Sequence, residues 1–126
     1  MQSLNIIGGD VLLPQHGPQP ESLHVADGVI AAIGATPASA LTLDAAGLWV
    51  LPGIVDIHGD AFERQLQPRP GVDFPTGLAL RDTEAQLLAN GITTAFHGVT
   101  LSWEPGLRSL GAWRALLEGL EAEHWT

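Results

Sequence analysis

The chain has 126 residues, no cysteine, a formal net charge of −9 and a hydrophobic fraction of 45%. That length supports one modest core but not a complete (β/α)₈ barrel, which takes roughly 250 residues. The lack of cysteine excludes a disulfide framework and a thiolate zinc site, the acidity opposes nucleic acid and anionic membranes, and no apolar run approaches the ~20 residues of a membrane helix. The opening Met1-Gln2-Ser3-Leu4-Asn5 has no basic region, so no signal peptide is expected and the cytoplasm is the expected compartment. All five basic residues are arginines, and Arg64, Arg69 and Arg81 share one short stretch. The absence of lysine reads first as composition, although arginine is also the better fork for phosphate.

Residues 1–52 read as a small β-sheet module of the composite-sandwich kind. Leu4 to Leu13 gives a strand, a Gly8-Gly9 bend and a second strand. Glu21 to Val25 leads into Ala26-Asp27-Gly28, and Asp-Gly between apolar runs is a strong hairpin signal. Val29 to Gly34 is the returning strand, and residues 35–40 form a small-residue loop around Pro37. Leu41 to Asp44 and Leu48 to Leu51 flank a turn at Ala46-Gly47.

At Leu51-Pro52-Gly53 the texture changes, and residues 53–126 read as two successive β/α units. Ile54-Val55-Asp56-Ile57-His58 is β-branched, as expected of a strand buried on both faces. Ala61 to about Gly77 is expected as a long loop, of the length that tends to be functional. Leu78 to Asn90 has helical spacing, with Asp82 or Thr83 available as a cap and Asn90-Gly91 as the stop. Ile92 to His97 is a second buried strand and Gly98 to Gly106 a loop. Leu107, Leu110, Trp113, Leu116, Leu117 and Leu120 mark an amphipathic helix ending near Glu121-Ala122-Glu123. The order β, loop, α, β, loop, α implies a parallel sheet with covered faces. The expected fold class is therefore α/β: a small β-sandwich portion followed by the first units of an incomplete TIM-type barrel. An isolated piece of this kind would leave a strand edge and an apolar helix face uncovered, and poor solubility or self-association follows.

The residues with chemical content stand at the strand ends. His58-Gly59-Asp60 closes the first of these strands, at the end where α/β barrels build active sites. Residues two apart in an extended segment face the same way, so His58 and Asp60 can offer one cation an imidazole nitrogen and a carboxylate oxygen. The alternative is a histidine satisfied by a neighbour and an aspartate capping a turn. Arg64 and Arg69 follow in the loop. Each can grip phosphate bidentately, or Arg69 can pair locally with Asp73 or Glu63. His97 closes the second strand, as a substrate contact, a supporting group or a plain packed histidine. Asp56 is expected to be tied to backbone or to an arginine. His16, His24 and His124 read as ordinary surface residues. Trp113 reads as core, and Trp103 and Trp125 carry no signal.

Leu51-Pro52-Gly53-Ile54-Val55-Asp56-Ile57-His58 resembles the segment that opens the barrel in the amidohydrolase superfamily, where Pro-Gly, a few apolar residues and His-x-His deliver the first two metal ligands. The preceding β module and Asn90-Gly91-Ile92-Thr93-Thr94 are similar as well, so the resemblance spans essentially the whole chain. The second ligand position here is Asp60. His-x-Asp, then Glu63-Arg64, then Pro68-Arg69-Pro70-Gly71-Val72 resembles one branch, the alkylphosphonate-utilisation diphosphatases called PhnM. Gly59 and Ala61 stand where that branch usually carries Thr and Asn, a departure that bears on substrate preference. The resemblance implies a metal-dependent hydrolase that releases diphosphate from ribose 1-alkylphosphonate 5-triphosphate. It implies a divalent metal held in part by His58 and Asp60, zinc first, with manganese or iron as alternatives. It implies a phosphorylated small-molecule substrate met by Arg64, Arg69 and His97, with no nucleic-acid or membrane partner. The full-length enzyme is compatible with a homo-oligomer. The superfamily's later metal ligands and its proton-handling aspartate have no counterpart in these 126 residues. No catalytic residue is assigned within them, and a truncated, inactive chain is expected. Two other readings stay open: an amidohydrolase acting on a C–N bond, and a non-catalytic α/β interaction domain.

Overall fold

The computed structural model describes residues 3–38 and 40–122. The chain divides into two compact units, Met1–Pro52 and Gly53–Thr126.

The first unit holds seven short strands: β1 (Leu4–Ile7), β2 (Asp10–Leu13), β3 (Gly17–Pro20), β4 (Leu23–Ala26), β5 (Val29–Ile33), β6 (Leu41–Asp44) and β7 (Trp49–Val50). They form two small sheets, ordered β5-β4-β1-β6 and β3-β2-β7. The Gly8-Gly9 bend carries the chain from one sheet into the other. The later pair follows the same course: β6 lies parallel to β1 and β7 parallel to β2. The corner between β6 and β7 is closed by Ala46 N–H donating to Asp44 Oδ1 at 2.9 Å. Between β4 and β5, Asp27 (φ 51°) and Gly28 (φ 80°) adopt the two positive φ values of a type I′ hairpin turn. Strand β3 is absent from the sequence expectation because it carries Pro18 and Pro20 among its four residues. It lies at a sheet edge, and edge strands tolerate the missing proline donors. The buried apolar residues here are Val11, Leu23 and Ala45.

The second unit holds β8 (Ile54–Gly59), α1 (Phe62–Leu66), α2 (Thr76–Ala89), β9 (Ile92–His97) and α3 (Leu110–Ala122). Strands β8 and β9 pair in parallel, with Ile54 opposite Ile92 and Gly59 opposite His97. The core is Phe62, Leu80 and Leu116, each no more than 3% exposed, with Leu66 and Leu120 packed against them. This arrangement is mixed α/β, and the described residues form no closed barrel.

Three local expectations are corrected. The segment 61–77 is not all loop. It contains α1, which is too short to show a period but is pinned by the buried Phe62, and it also contains the start of α2. Helix α2 begins after Pro75, with no side-chain cap. Asp82 and Thr83 lie inside it, where Thr83 Oγ1 bonds back to the Ala79 carbonyl at 2.8 Å and Asp82 accepts from Gln86 at 2.7 Å. Strands β8 and β9 are not buried on both faces. Helix α2 packs against β9, while Ile57 is 81% and Phe96 60% exposed.

The stop of α2 follows the sequence, whereas α3 starts at Leu110 and leaves Leu107, expected on that helix, in the loop before it. Asn90 donates to the Gln86 carbonyl at 2.8 Å as α2 stops, and Ser109 Oγ accepts from Ala112 N–H at 3.2 Å at the start of α3. Trp113 is half-buried on α3, and Trp103 is almost fully exposed. Glu123, His124 and Trp125 lie outside the described residues. Among the described residues, no helix is long and apolar enough to cross a membrane.

Candidate functional site

The C-terminal ends of β8 and β9 meet at the Gly59–His97 pair, tied by Gly98 N–H donating to the Gly59 carbonyl at 2.9 Å. Parallel strands put both ends on one side, so the loops that leave them share that side.

His58 is exposed and is the last side chain of β8 before Gly59. Its backbone N–H donates to Asp56 Oδ1 at 3.0 Å, so Asp56 is tied to backbone, as its position in the strand suggested. The His58 ring lies over Gly98: a Cβ built on that glycine would stand 2.9 Å from His58 Cε1. Asp60 follows β8. Its carboxylate is exposed, while its carbonyl accepts from Glu63 N–H at 3.1 Å in the turn that opens α1. His97 is only partly exposed. Its ring meets Phe62 edge to face at 4.9 Å, and its Nδ1 is buried without a hydrogen-bond partner among the described residues. Such a group costs about 1–3 kcal/mol when left unpaired.

The arginines separate. Arg64 is exposed on α1, and Arg69 is exposed at the Arg69-Pro70-Gly71-Val72 turn, closed by Val72 N–H to the Arg69 carbonyl at 3.1 Å. The local ion pairs considered for Arg69 do not form. Asp73 Oδ1 accepts from Gln67 at 2.8 Å, and Glu63 lies 3.5 Å from Arg108. Arg108 was not singled out by the sequence. Its only signal is a charged position in the loop after a strand end. His16 is exposed, as expected. His24 is not a plain surface residue: it is half-buried, with its Nδ1 2.8 Å from Asn5 Oδ1.

An exposed imidazole and an exposed carboxylate two residues apart suit a borderline divalent cation. They fit such an ion as two members of a larger set. A closed tetrahedral site needs further protein ligands, and no group of three or more His, Cys, Asp or Glu side chains among the described residues could hold a metal ion.

No family model matches the chain. Over 59 residues it is 37% identical to the alpha-D-ribose 1-methylphosphonate 5-triphosphate diphosphatase of Escherichia coli (strain K12), a stretch covering 47% of this chain and 16% of that protein. Among solved structures, it is similar to the N-acyl-D-glutamate deacylase of Bordetella bronchiseptica, complexed with zinc and a phosphonate inhibitor. The TM-score is 0.54 and the identity 30%, covering 75% of this chain and 18% of the deacylase. It also matches an amidohydrolase from a Sargasso Sea environmental sample, with a TM-score of 0.68 and 21% identity, over 95% of this chain and 31% of that one. The chain thus spans less than a third of each of these proteins. Its fold is thus similar to that of an amidohydrolase, and over 59 residues its sequence is similar to that of the alpha-D-ribose 1-methylphosphonate 5-triphosphate diphosphatase.

Proposed function

We propose that this chain is the metal-binding opening segment of a hydrolase that releases diphosphate from a ribose 1-alkylphosphonate 5-triphosphate in alkylphosphonate catabolism. The observation that carries this reading is the 37% identity to a diphosphatase of that name, together with His58-x-Asp60 in place of His-x-His. His58 and Asp60 would hold the divalent cation, zinc in the first instance. When bound, such a cation lowers the pKa of water and offsets charge on phosphoryl oxygens. The chain's own residues bind and orient: Arg64 takes phosphate oxygens as a planar fork, and His97, packed against Phe62, meets the substrate from β9. The units 1–52 and 53–126 act as a supporting sheet module and as the start of a barrel. The proton-handling group is supplied from outside the 126 residues, so the isolated chain turns over no substrate.

Zinc titration of the chain by isothermal calorimetry tests the site. Weak binding is expected, lost in both His58→Ala and Asp60→Asn. Binding unchanged in the two variants would remove the metal assignment, and metal-dependent diphosphate release by the isolated chain would remove the claim of inactivity.

A second reading, hydrolysis of a C–N bond, is favoured by the 30% identity to the N-acyl-D-glutamate deacylase. Saturation-transfer NMR separates the two. Contact with inorganic tripolyphosphate and none with N-acetylglutamate supports the diphosphatase, and the reverse supports the deacylase.

A further inference from the structure

Between α1 and the loop that leaves β9 lies an open pocket of about 550 Å³. Glu63 and Arg64 line it from α1, Gln67 from the position just after that helix, and Glu104 and Arg108 from the β9–α3 loop. Both segments follow the C-terminal ends of the parallel strands, the side on which ligands of α/β sheets bind. The second strand end thus contributes a cation, Arg108, to the same space as the first.

We propose that this pocket binds the phosphate chain of the substrate through Arg64 and Arg108, and that phosphate displaces Glu63 from Arg108 on binding. The assignment deepens the triphosphate-cleaving reading and rests on it. Three features support it. First, Arg108 and Glu63 are 3.5 Å apart with side chains 53% and 26% exposed. That is longer than a tight charge-assisted hydrogen bond, and exposed ion pairs of this kind contribute little. Arg108 is therefore held in position and easily redirected. Second, Arg64 lines the same pocket and makes no side-chain hydrogen bond or ion pair among the described residues. Two guanidinium forks in one cavity suit a ligand with several phosphoryl groups, since each fork matches a pair of phosphoryl oxygens. Third, Arg69 is not among the residues that line this pocket, so the two arginines that share it are Arg64 and Arg108 rather than the adjacent pair read from the sequence.

The test is calorimetric titration of the 126-residue chain with sodium tripolyphosphate at low ionic strength. Arg108→Gln and Arg64→Gln are each expected to weaken binding about tenfold, the loss of one charge-assisted contact pair, with Arg108→Lys retaining part of the affinity. Glu63→Gln is expected to tighten binding severalfold by removing the competitor for Arg108. Glu118→Gln, which deletes the same charge from an exposed site on α3, and Arg114→Gln, which deletes a cation there, are expected to stay within about twofold of the parent because neither side chain lines the pocket and exposed charges that make no direct contact contribute little. Four results would each overturn the assignment: no tripolyphosphate binding by the parent chain, Arg108→Gln within twofold of it, a larger loss in Arg69→Gln than in Arg108→Gln, or equal tightening by Glu63→Gln and Glu118→Gln. Zinc binding through His58 and Asp60 is read separately, so loss of the pocket leaves the hydrolase reading standing. Circular-dichroism melts of Arg108→Gln and Arg108→Lys matching the parent tie any loss to the pocket rather than to unfolding.

Discussion

The two units solve different problems with the same alphabet. Residues 1–52 contain no lysine or arginine, and all five arginines lie beyond Pro52. The first unit is built from strands joined by tight turns, whose geometry is set within a few residues, as at Asp27-Gly28. Its buried polar residue, Asn5, is spent on structure: it donates to the Pro37 carbonyl at 2.9 Å and meets His24. The second unit is built from parallel strands, which need a long crossover. That crossover and the loop after β9 carry the polar residues of the strand-end side: Asp60, Glu63, Arg64 and Arg108. The difference teaches where chemistry enters this chain. A hairpin returns its chain at once and leaves only a turn, whereas a crossover gives each strand end a loop long enough to carry function.

The largest effect that would sharpen this contrast is expected from the core of the second unit. Leu80 is 2% exposed and touches Phe62 and Leu116, so Leu80→Ala should destabilise by about 2–5 kcal/mol. Urea melts followed by amide hydrogen exchange check it. Loss of protection in α1, α2 and α3 with β1 and β4 unaffected is expected, and equal loss in both units would merge them into one cooperative body.

Next in size is Gly53→Ala. A Cβ at Gly53 would stand 2.7 Å from Thr93 Cβ on the neighbouring strand. Rotating the Thr93 side chain cannot relieve a clash with its own Cβ, so β8 and β9 must shift. Overpacking of this kind costs about 1–3 kcal/mol. A thermal melt of the variant measures it, and an unchanged midpoint would mean the strand start is free to move. In the first unit, Asn5→Ala leaves His24 Nδ1 and the Pro37 carbonyl without their partner, at a cost of about 1–3 kcal/mol. Here hydrogen exchange should rise in β1 and β4 while α2 keeps its protection.

Much of this architecture was legible in the sequence, for reasons that differ by element. The Asp27-Gly28 hairpin, the Asn90-Gly91 stop and the strands Ile54–Gly59 and Ile92–His97 announce themselves through local residue chemistry. Strand β3 did not, because Pro18 and Pro20 argue against a strand except at an edge, and edge position is a tertiary fact. Helix α1 did not, because five residues are too few for a period and Phe62 is buried by partners, Leu80 and Leu116, that lie far along the chain. Exposure was misread for β8 and β9 because an apolar, β-branched run records a preference for burial, while coverage depends on what packs against it. The candidate site divides the same way. His58 and Asp60 are neighbours in sequence and could be picked out together, whereas Arg108 meets Glu63 only after α2 and β9 have brought its loop back to α1.

The smallest expected effect probes how closely the site depends on that return. Gly98 follows β9, and a Cβ there would lie 2.9 Å from Cε1 and 3.1 Å from Nε2 of His58. Those atoms belong to an exposed ring that can turn away, so Gly98→Ala should cost little stability, well under the ~1 kcal/mol typical of a point mutation. The ring must move all the same. With His58 as a proposed metal ligand, its nitrogen moves when the ring turns, and zinc affinity of the chain should fall severalfold while the melt stays unchanged, since ligand geometry is more demanding than packing here. The ¹³C-edited NMR signals of the His58 ring report the movement directly. A shifted ring with unaltered zinc affinity would separate His58 from metal binding and leave it as a packed strand-end residue. A coupled loss would show that β9 sets the geometry of a ligand carried by β8.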